Sequence, residues 1–333
     1  MAGYSVEILN SIRNEASTDY QTYIPEATAQ NIVNIGNAFQ TYNLLYNEFC
    51  EALFNKIGKT IIDTTLFENK LKRFKSGTIQ TQQDVEEIFV EMAKASVPYD
   101  KDGKNPLGRR EPTPVKVVYH RQNRESCYEL SVGDIDFVRV FRSEATLDTF
   151  IKLQIESVLT RAEYEEWLLM KNLLATYDGY FNYGVPAITD TTTEKSSKQF
   201  VKTFRKAVAD MTVGLPSAYN KMKVQKASKK GKLVAFVHKD VLAEVDVEVL
   251  AKAFNMGKTD IETTIIEMDD FGTLENTYAL IVDDDFFKVF DTLSRMESQR
   301  NAQGLFTNYF YHIHQILSLS PFKNAVRLTT DEV

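Results

Sequence analysis

The length, composition and charge of the chain exclude several classes of protein. With 333 residues, 43% of them hydrophobic and 26% charged, the sequence is typical of a folded globular protein, built as one elaborated fold or as two lobes that share a core. No apolar run approaches the roughly 20 residues that cross a bilayer, so we expect no membrane contact. A formal net charge of −7 argues against a general nucleic-acid binder.

The sequence offers few signs of catalysis or of bound cofactors. Its two cysteines, Cys50 and Cys127, have no CxxC spacing, which argues against a disulfide scaffold and a zinc site. The nucleotide-binding motifs GxGxxG and GxxxxGK[ST] are absent, as are the hydrolase motifs GxSxG and HExxH. The N-terminus lacks the features of a secretory signal, which predicts synthesis in a cytoplasm. We therefore expect a protein without enzymatic activity and without a cofactor.

Helical spacing and turn residues divide the first part of the chain. Apolar residues from Tyr42 to Ile57 recur every three or four positions, which predicts a helix that ends at Gly58. Residues 59–124 are polar and rich in Gly and Pro, and only Val85–Met92 has the spacing of a short amphipathic helix. Because so long a segment lacks a core of its own, we expect it to pack on a neighbouring subunit as an arm.

A long uninterrupted helix is predicted in the middle of the chain. Strand-like runs occur at 115–119, 128–132 and 137–141. Residues 146–177 then contain neither Pro nor Gly and carry one apolar stripe at helical spacing. Such a helix would be roughly 45 Å long, far more than the usual globular helix, and would serve as a spine for the body.

The remaining residues predict a second lobe after a polar linker at 188–198. The stretch 306–313 is apolar on both faces, as in a strand that is covered on both sides. Helices are predicted around 200–211, 247–255 and 286–293, and strands at 233–237, 261–268, 278–282, 304–319 and 325–328.

Aspartate clusters and a histidine pair are the candidates for metal chemistry. His312 and His314 share one face of a predicted strand, but no third ligand is nearby in the sequence, so we expect packing histidines. Two aspartate clusters could hold Mg²⁺ for phosphoryl transfer or could cap helices instead. They consist of Asp269, Asp270, Asp283, Asp284 and Asp285. A metal-dependent hydrolase therefore stays open as an alternative function.

Two basic clusters are candidates for contacts with partners. The lysine-rich stretch 221–232 contains no acid and could meet DNA, an acidic protein or solvent, with a solvated loop favoured. A second cluster surrounds the apolar Leu71 and Phe74, which suits docking on an acidic neighbour. The predicted subunit interface comprises Lys70, Lys72, Arg73, Phe74, Lys75, Arg109 and Arg110.

Stretches along nearly the whole chain resemble the major head proteins of short-tailed Bacillus phages of the phi twenty-nine type. The segment VDVEVLAKAFNM at 245–256 is the longest of them. Shorter ones are YIPEATAQN at 23–31, LKRFKSG at 71–77, EEI at 86–88, ME at 296–297, RN at 300–301, GL at 304–305, NY at 308–309 and NAV at 324–326.

The resemblance implies an α+β fold of the HK97 type, with an N-terminal arm, an extended loop, a long spine helix and an axial α/β lobe. Its expected divisions are the arm and first helices at 1–58, the extended loop at 59–130, a peripheral domain at 131–198 with a returning segment at 294–333, and the axial domain at 199–293. From the sequence as given, which runs to Val333, we expect neither the immunoglobulin-like domain of the best-known member nor the long N-terminal assembly segment of some HK97-type proteins.

The implied function is a major capsid protein that self-assembles into the icosahedral or prolate head around double-stranded DNA. Expected partners are further copies in pentamers and hexamers, a separate scaffolding protein, the portal protein, and packaged DNA contacted weakly. The expected location is the virion, with assembly in the host cytoplasm. Deletion of residues 70–110 is predicted to leave a folded but assembly-defective subunit. A cellular encapsulating shell of the same fold is a further alternative.

Overall fold

The computed structural model describes residues 4–42, 45, 48–49, 52, 67–80, 83–93, 113–133, 156–186, 193–229, 231–244 and 264–330. Helices and strands both contribute, so the predicted α+β class is confirmed. The strand predicted at 137–141, the helix predicted at 247–255 and most of the helix predicted between Tyr42 and Ile57 lie outside these residues. None of the described helices is long and apolar enough to cross a membrane.

Three short helices form the N-terminal layer: α1 (Tyr4–Glu15), α2 (Thr18–Tyr23) and α3 (Ile32–Thr41). Ser17 begins α2, because its side-chain oxygen accepts a hydrogen bond from the backbone N–H of Tyr20 at 3.2 Å. The apolar sides of the three helices pack together and against one face of a sheet. This layer and that sheet share the first hydrophobic core.

The sheet beneath those helices has the strand order β1-β9-β10-β4. Its members are β1 (Lys75–Thr78), β4 (Arg124–Gly133), β9 (Phe287–Asn301) and β10 (Phe306–Leu319). Since β10 pairs with β9 on one side and with β4 on the other, the predicted inner strand is confirmed. It is not covered on both faces as predicted, because the face that includes Phe306 and Phe310 is only half-buried. The helix predicted at 286–293 is wrong, because these residues pair with β10 as the first half of β9.

The predicted spine helix is present as α4 (Glu156–Thr176), and the predicted residues before Glu156 lie outside the described part of the chain. Its 21 residues span about 32 Å. Ala162, Met170 and Leu174 are buried on one side of it. At mid-length, Glu166 accepts a hydrogen bond from Gln315 of β10 at 2.5 Å, which ties the helix to the sheet.

A five-stranded sheet with the order β5-β11-β8-β6-β7 forms the centre of the second lobe. Its strands are β5 (Phe181–Gly184), β6 (Leu233–His238), β7 (Thr264–Met268), β8 (Thr277–Asp283) and β11 (Ala325–Thr329). The same lobe contains the helices α5 (Thr193–Thr212) and α6 (Lys239–Glu244). The strands predicted at 233–237, 278–282 and 325–328 are confirmed.

Two details of the predicted organisation differ from the structure. The linker predicted at 188–198 already contains the start of α5 at Thr193, because a polar first turn has no periodic apolar signal. The five-stranded sheet also includes β5 and β11, which come from the segments 131–198 and 294–333. The sheets therefore cross the predicted domain boundaries, and the division into domains stays a prediction.

The remaining strands, β2 (Val85–Val90) and β3 (Val115–His120), pair only with each other in the described residues. The helix predicted at Val85–Met92 is therefore wrong. Side chains in β2 alternate between a half-buried and an exposed face, which is the period of a strand and not of a helix. We refer to this two-stranded antiparallel sheet as the ribbon.

Candidate assembly surface

One face of the ribbon is apolar and exposed. In the antiparallel register, Ile88 lies opposite Val117 and Val90 lies opposite Val115, so these side chains share a face with Tyr119. Their exposed fractions range from 39% for Val117 to 60% for Val90. Five large apolar side chains exposed together are unusual for a surface that meets only water. We call these five residues the outer face.

The opposite, inner face of the ribbon packs on the body of the same subunit. The ring of Phe89 stacks on Phe322, with the ring centroids 5.6 Å apart. Ser320 donates a hydrogen bond from its hydroxyl to Oε1 of Glu87 at 2.8 Å. On β3, Nδ1 of His120 lies 2.7 Å from the hydroxyl of Ser318. Both strands are thus fastened to the end of β10 and the turn that follows it.

Glu87 is the charged centre of this attachment. Burial by itself would raise the pKa of Glu87, but hydrogen bonds from His120 and Ser320 and the charge of Lys288 outweigh it and lower the pKa to about 2. The ammonium of Lys288 lies 3.7 Å from Oε1. The carboxylate therefore stays ionised throughout the neutral and mildly acidic range.

The base of the ribbon is fixed by the side-chain amide of Asn123, which makes two hydrogen bonds to the backbone of β10. Asn123 donates from its side-chain nitrogen to the carbonyl of Leu317, and its side-chain oxygen accepts from the backbone N–H of the same residue, both at 2.8 Å. Next to it, Thr292 donates to the side-chain oxygen of Gln122 at 2.7 Å. These bonds fix the direction in which the ribbon leaves the sheet.

The inner face of the ribbon also touches the second lobe. The ammonium of Lys116 donates to the carbonyl of Met222 at 3.1 Å and forms an ion pair with Glu91 at 2.9 Å. The ribbon therefore contacts both the C-terminal end of β10 and the loop that follows α5. Because the inner face is occupied throughout, the outer face is the side available to another molecule.

The structure divides the interface predicted around residue 70. Phe74 is only 7% exposed and stacks on Phe287 at 5.1 Å, while Lys75 lies 3.0 Å from Glu166 and 3.1 Å from Asp291. Both side chains therefore act inside the subunit. The alternation of basic and apolar residues could have suggested this, since Leu71 and Phe74 are three apart on one turn.

The rest of that predicted interface stays a prediction. Lys70, Lys72 and Arg73 lie at the surface, where Lys72 pairs with Glu163 at 2.6 Å. Arg109 and Arg110 lie outside the described residues. Deletion of residues 70–110 would remove the core side chains of Leu71 and Phe74, so the folded subunit predicted for that deletion is not expected.

Comparison with known proteins identifies the family. The sequence model of the Phi29-like phage major capsid proteins matches residues 9–329. The chain belongs to this family. It is 34% identical over 332 residues to the major capsid protein of Bacillus phage B103, covering 98% of this chain and 73% of that one. The major capsid protein of Bacillus phage PZA is 32% identical over 334 residues, covering 99% and 74%.

Solved structures show the same fold at much lower identity. The capsid structure of Staphylococcus phage Andhra matches with a TM-score of 0.62 and 12% identity, covering 82% of this chain and 88% of that one. The capsid structure of cyanophage P-SCSP1u matches with a TM-score of 0.52 and 8% identity, covering 82% and 91%. The HK97-like fold predicted from the sequence is thereby confirmed.

The family defines the general function. This chain is a phage major capsid protein: it is located in the virion and assembles with copies of itself into capsid oligomers. The alternative of a cellular encapsulating shell is not favoured, because the curated relatives are capsid proteins of phages.

The first aspartate cluster of the hydrolase alternative is engaged by a lysine. The ammonium of Lys171 lies 3.2 Å from Asp269 and 2.8 Å from Asp270, above the ring of Trp167. The hydrogen bond from Lys171 is the main cause that lowers the pKa of Asp270. These carboxylates connect the spine helix to the turn after β7.

The second cluster is engaged in the same way. Asp283 accepts from Lys226 at 2.9 Å and from the backbone N–H of Asn324 at 3.1 Å. Asp284 pairs with Lys232 at 3.1 Å, and Asp285 pairs with Lys323. Among the described residues, no group of three or more His, Cys, Asp or Glu could hold a metal ion. A metal-dependent hydrolase is therefore not favoured by this arrangement.

The two histidines of β10 lie on one face of the sheet, as predicted. Nε2 of His312 is 4.0 Å from the sulfur of Cys127, and Nδ1 of His314 is 3.5 Å from the side-chain nitrogen of Gln122. Burial and the nearby charge of Glu129 raise the pKa of the Cys127 thiol. A raised pKa favours the protonated thiol, which is a weak metal ligand.

Proposed function

We propose that the outer face of the ribbon is the surface through which each subunit binds the adjacent copy in the shell. The observation that carries the proposal is the asymmetry of the ribbon. Its inner face is held by a ring stack, hydrogen bonds and the ion pair between Glu87 and Lys288, whereas Ile88, Val90 and Val117 on its outer face are exposed. Burying these side chains on a neighbour would remove apolar surface from water, which is the main driving force of association.

The rigid attachment of the ribbon supports the same function. An interface element that is already fixed in its bound orientation loses little conformational freedom on assembly. Asn123 at its base and Phe89 at its middle provide that fixation. Arg109 and Arg110, which the sequence assigns to the interface, belong to the same proposal.

The finer features of assembly belong to the same proposal. We propose that the oligomers are pentamers and hexamers, that a separate scaffolding protein and a portal protein take part, and that assembly occurs in the host cytoplasm. The subunit has no catalytic role, and packaged double-stranded DNA is contacted weakly. The acidic net charge supports weak contact, since a container that binds its genome tightly would hinder packaging and ejection.

A charge introduced at the centre of the outer face tests the proposal. Val117→Glu places a carboxylate opposite Ile88 without touching the inner face, so the subunit is expected to fold and to form no shells. Val117→Ile keeps the site apolar and is expected to assemble like the wild type. The measurement is electron microscopy of the expressed protein with its assembly partners, together with circular dichroism of the subunit. Shells of normal size and yield from Val117→Glu would overturn the proposal.

A further inference from the structure

The exposed face of α5 is basic, although the chain as a whole is acidic. The helix contains five basic and two acidic residues, whereas the chain carries a net charge of −7. Lys198, Lys202, Arg205 and Lys206 are exposed and follow the spacing i, i+4, i+7 and i+8, so they share one side of the helix. We call these four residues the basic stripe.

The opposite side of α5 holds the basic stripe in a fixed position. Phe200 and Phe204 are fully buried and Val208 is nearly so, in the core beneath the five-stranded sheet. The helix therefore cannot turn to present another side. Over the eight-residue step from Lys198 to Lys206 the stripe is about 12 Å long.

Two charges of the stripe, those of Lys202 and Arg205, are less neutralised than the charges of several other lysines in the described part of the chain. Lys72, Lys75 and Lys171 each lie within 3.2 Å of a carboxylate oxygen. In the part of the chain that the structure describes, no ion pair joins Lys202 or Arg205 to a carboxylate. Lys206 has its ammonium 5.7 Å from the centre of the Tyr183 ring, which leaves its charge in place.

The nearby carboxylate does not cancel the stripe. Asp210, one turn after Lys206, accepts a hydrogen bond from the hydroxyl of Tyr183 at 2.6 Å. That hydroxyl is also 3.0 Å from the hydroxyl of Tyr219. The side chain of Asp210 is thus held at the edge of the sheet by aromatic partners. A local positive potential remains over the middle of the helix.

We propose that the basic stripe contacts the phosphate backbone of the DNA enclosed by the shell. The inference rests on the proposed weak contact with packaged DNA and assigns the surface that makes it. A duplex carries about one negative charge per 1.7 Å of its axis, so a stripe of this length meets several phosphates. Lysine and arginine side chains on one helix face bind such a backbone without reading its sequence.

This assignment also explains why a basic surface occurs on a protein whose net charge is negative. A few cationic contacts per subunit, repeated over the inner surface, would hold the outermost DNA layer in place. The net negative charge elsewhere prevents strong binding, so that the DNA can still move. The alternative occupant is an acidic surface of another protein subunit, which the experiment below distinguishes.

The test compares two double variants that each remove two positive charges. Lys202→Gln with Arg205→Gln changes the stripe, and Lys223→Gln with Lys229→Gln changes two exposed lysines of the loop that follows α5. Binding of the purified subunit to a fluorescent duplex of about 30 base pairs is measured by anisotropy between about 20 and 200 mM salt. We expect weaker binding by the stripe variant and a salt dependence of log K that is smaller by about 1.8, against little change in the control.

Three results would overturn the proposal. They are an undetectable affinity of the wild-type subunit for the duplex, an equal loss in both variants, and a stripe variant that binds DNA normally but forms no shells. The last result would assign the stripe to contact between subunits. Since shell formation by the stripe variant is scored separately from that of Val117→Glu, failure of this inference is distinct from failure of the proposed assembly surface.

Discussion

Nε2 of His120 lies 3.2 Å from Oε2 of Glu87, and this contact joins the two strands of the ribbon on the side that packs against the subunit body. His120 is buried, with only 2% of its side chain exposed. The pair is next to Ser318 and Ser320, which hold it to the end of β10. The orientation of the outer face therefore depends on a charged group beneath it.

The lowered pKa of Glu87 predicts that this attachment weakens in acid. The stability it contributes is fully present above the ordinary carboxyl value of 4.5 and is lost as the pH falls towards about 2. The shift corresponds to about 3 kcal/mol at most. Glu87→Gln should therefore be less stable than the wild type at pH 6, and the difference should shrink at pH 3. Urea unfolding of the unassembled subunit at both pH values measures it.

Glu86→Gln is the matched control for this prediction. Glu86 lies on the same strand but is exposed on the other side, where its carboxylate accepts a hydrogen bond from Tyr119 at 3.3 Å. Its replacement should change the free energy of unfolding by less than about 0.5 kcal/mol at either pH. If Glu87→Gln and Glu86→Gln behaved alike, the carboxylate of Glu87 would have no part in the acid response.

The stack of Phe89 on Phe322 predicts a local effect on the ribbon. Phe89→Ala removes the ring that fills the gap between the ribbon and the turn after β10, so the ribbon should open more often while the rest of the subunit stays folded. Limited proteolysis should then cut within residues 80–124 several times faster than in the wild type. The midpoint of thermal unfolding should fall by only a few degrees.

Ile88→Ala is the control, because Ile88 neighbours Phe89 but points to the outer face. It should leave the rate of proteolysis unchanged in the unassembled subunit, since 55% of Ile88 is exposed and its truncation removes little packing within the described residues. Equal acceleration by both variants would mean that the ribbon is held by its strand pairing alone.

The sequence predicted the buried elements better than the ribbon. The helices α4 and α5 and the strands β6, β8, β10 and β11 follow from local periodicity, because each has a mainly apolar face or run. The prediction for Val85–Met92 was wrong because both sides of β2 carry apolar residues, one set that packs on the body and one that is exposed. Apolar spacing alone then fits a helix equally well.

The candidate assembly surface could be predicted only in part, because apolar spacing does not show whether a side chain packs in the subunit or is exposed. The predicted arm includes the ribbon, but its predicted apolar anchor, Phe74, packs in the subunit core. The start of β9 was predicted as a helix because apolar residues recur at helical spacing from Phe286 through Phe290 to Leu293. Its strand conformation depends on pairing with β10, a contact between segments that sequence spacing does not reveal.

The polar network at the centre of the subunit predicts a large effect on stability. Gln315 is fully buried and donates to Glu166 at 2.5 Å and to Asp291 at 2.6 Å, while its side-chain oxygen accepts from Arg124 at 2.5 Å. Gln315→Leu would leave these three charged groups short of a partner in the interior. We expect a loss of about 3 kcal/mol in the free energy of unfolding.

Gln299→Leu is the control for this variant. Gln299 is exposed on β9, so the same substitution is made there at the surface. It should alter the free energy of unfolding by less than about 0.5 kcal/mol. Chemical denaturation of both variants provides the measurement. A Gln315→Leu subunit as stable as the wild type would show that the neighbouring charges reach water or one another once the amide is gone.

The aspartates near the end of β8 provide a direct test of structural against catalytic roles. Asp283 is 4% exposed, and its carboxylate accepts from Lys226 and from the backbone of Asn324. Burial lowers the pKa of Lys226, and the charge of Asp283 opposes that effect. Asp283→Asn should therefore destabilise the subunit by about 2 kcal/mol, because it removes the carboxylate that pairs directly with the partly buried ammonium.

If Asp283 instead served a metal-dependent reaction, the variant would keep its stability and lose an activity. Added Mg²⁺ would then raise the unfolding midpoint of the wild type, since a ligand that binds only the folded state stabilises it. The lysine pairing predicts that Mg²⁺ leaves this midpoint unchanged in both proteins. Asp284→Asn provides the comparison, because Asp284 pairs with the more exposed Lys232 and should cost less stability. A midpoint that rises with Mg²⁺ in the wild type but not in Asp283→Asn would replace the structural role of this carboxylate with that of a metal ligand.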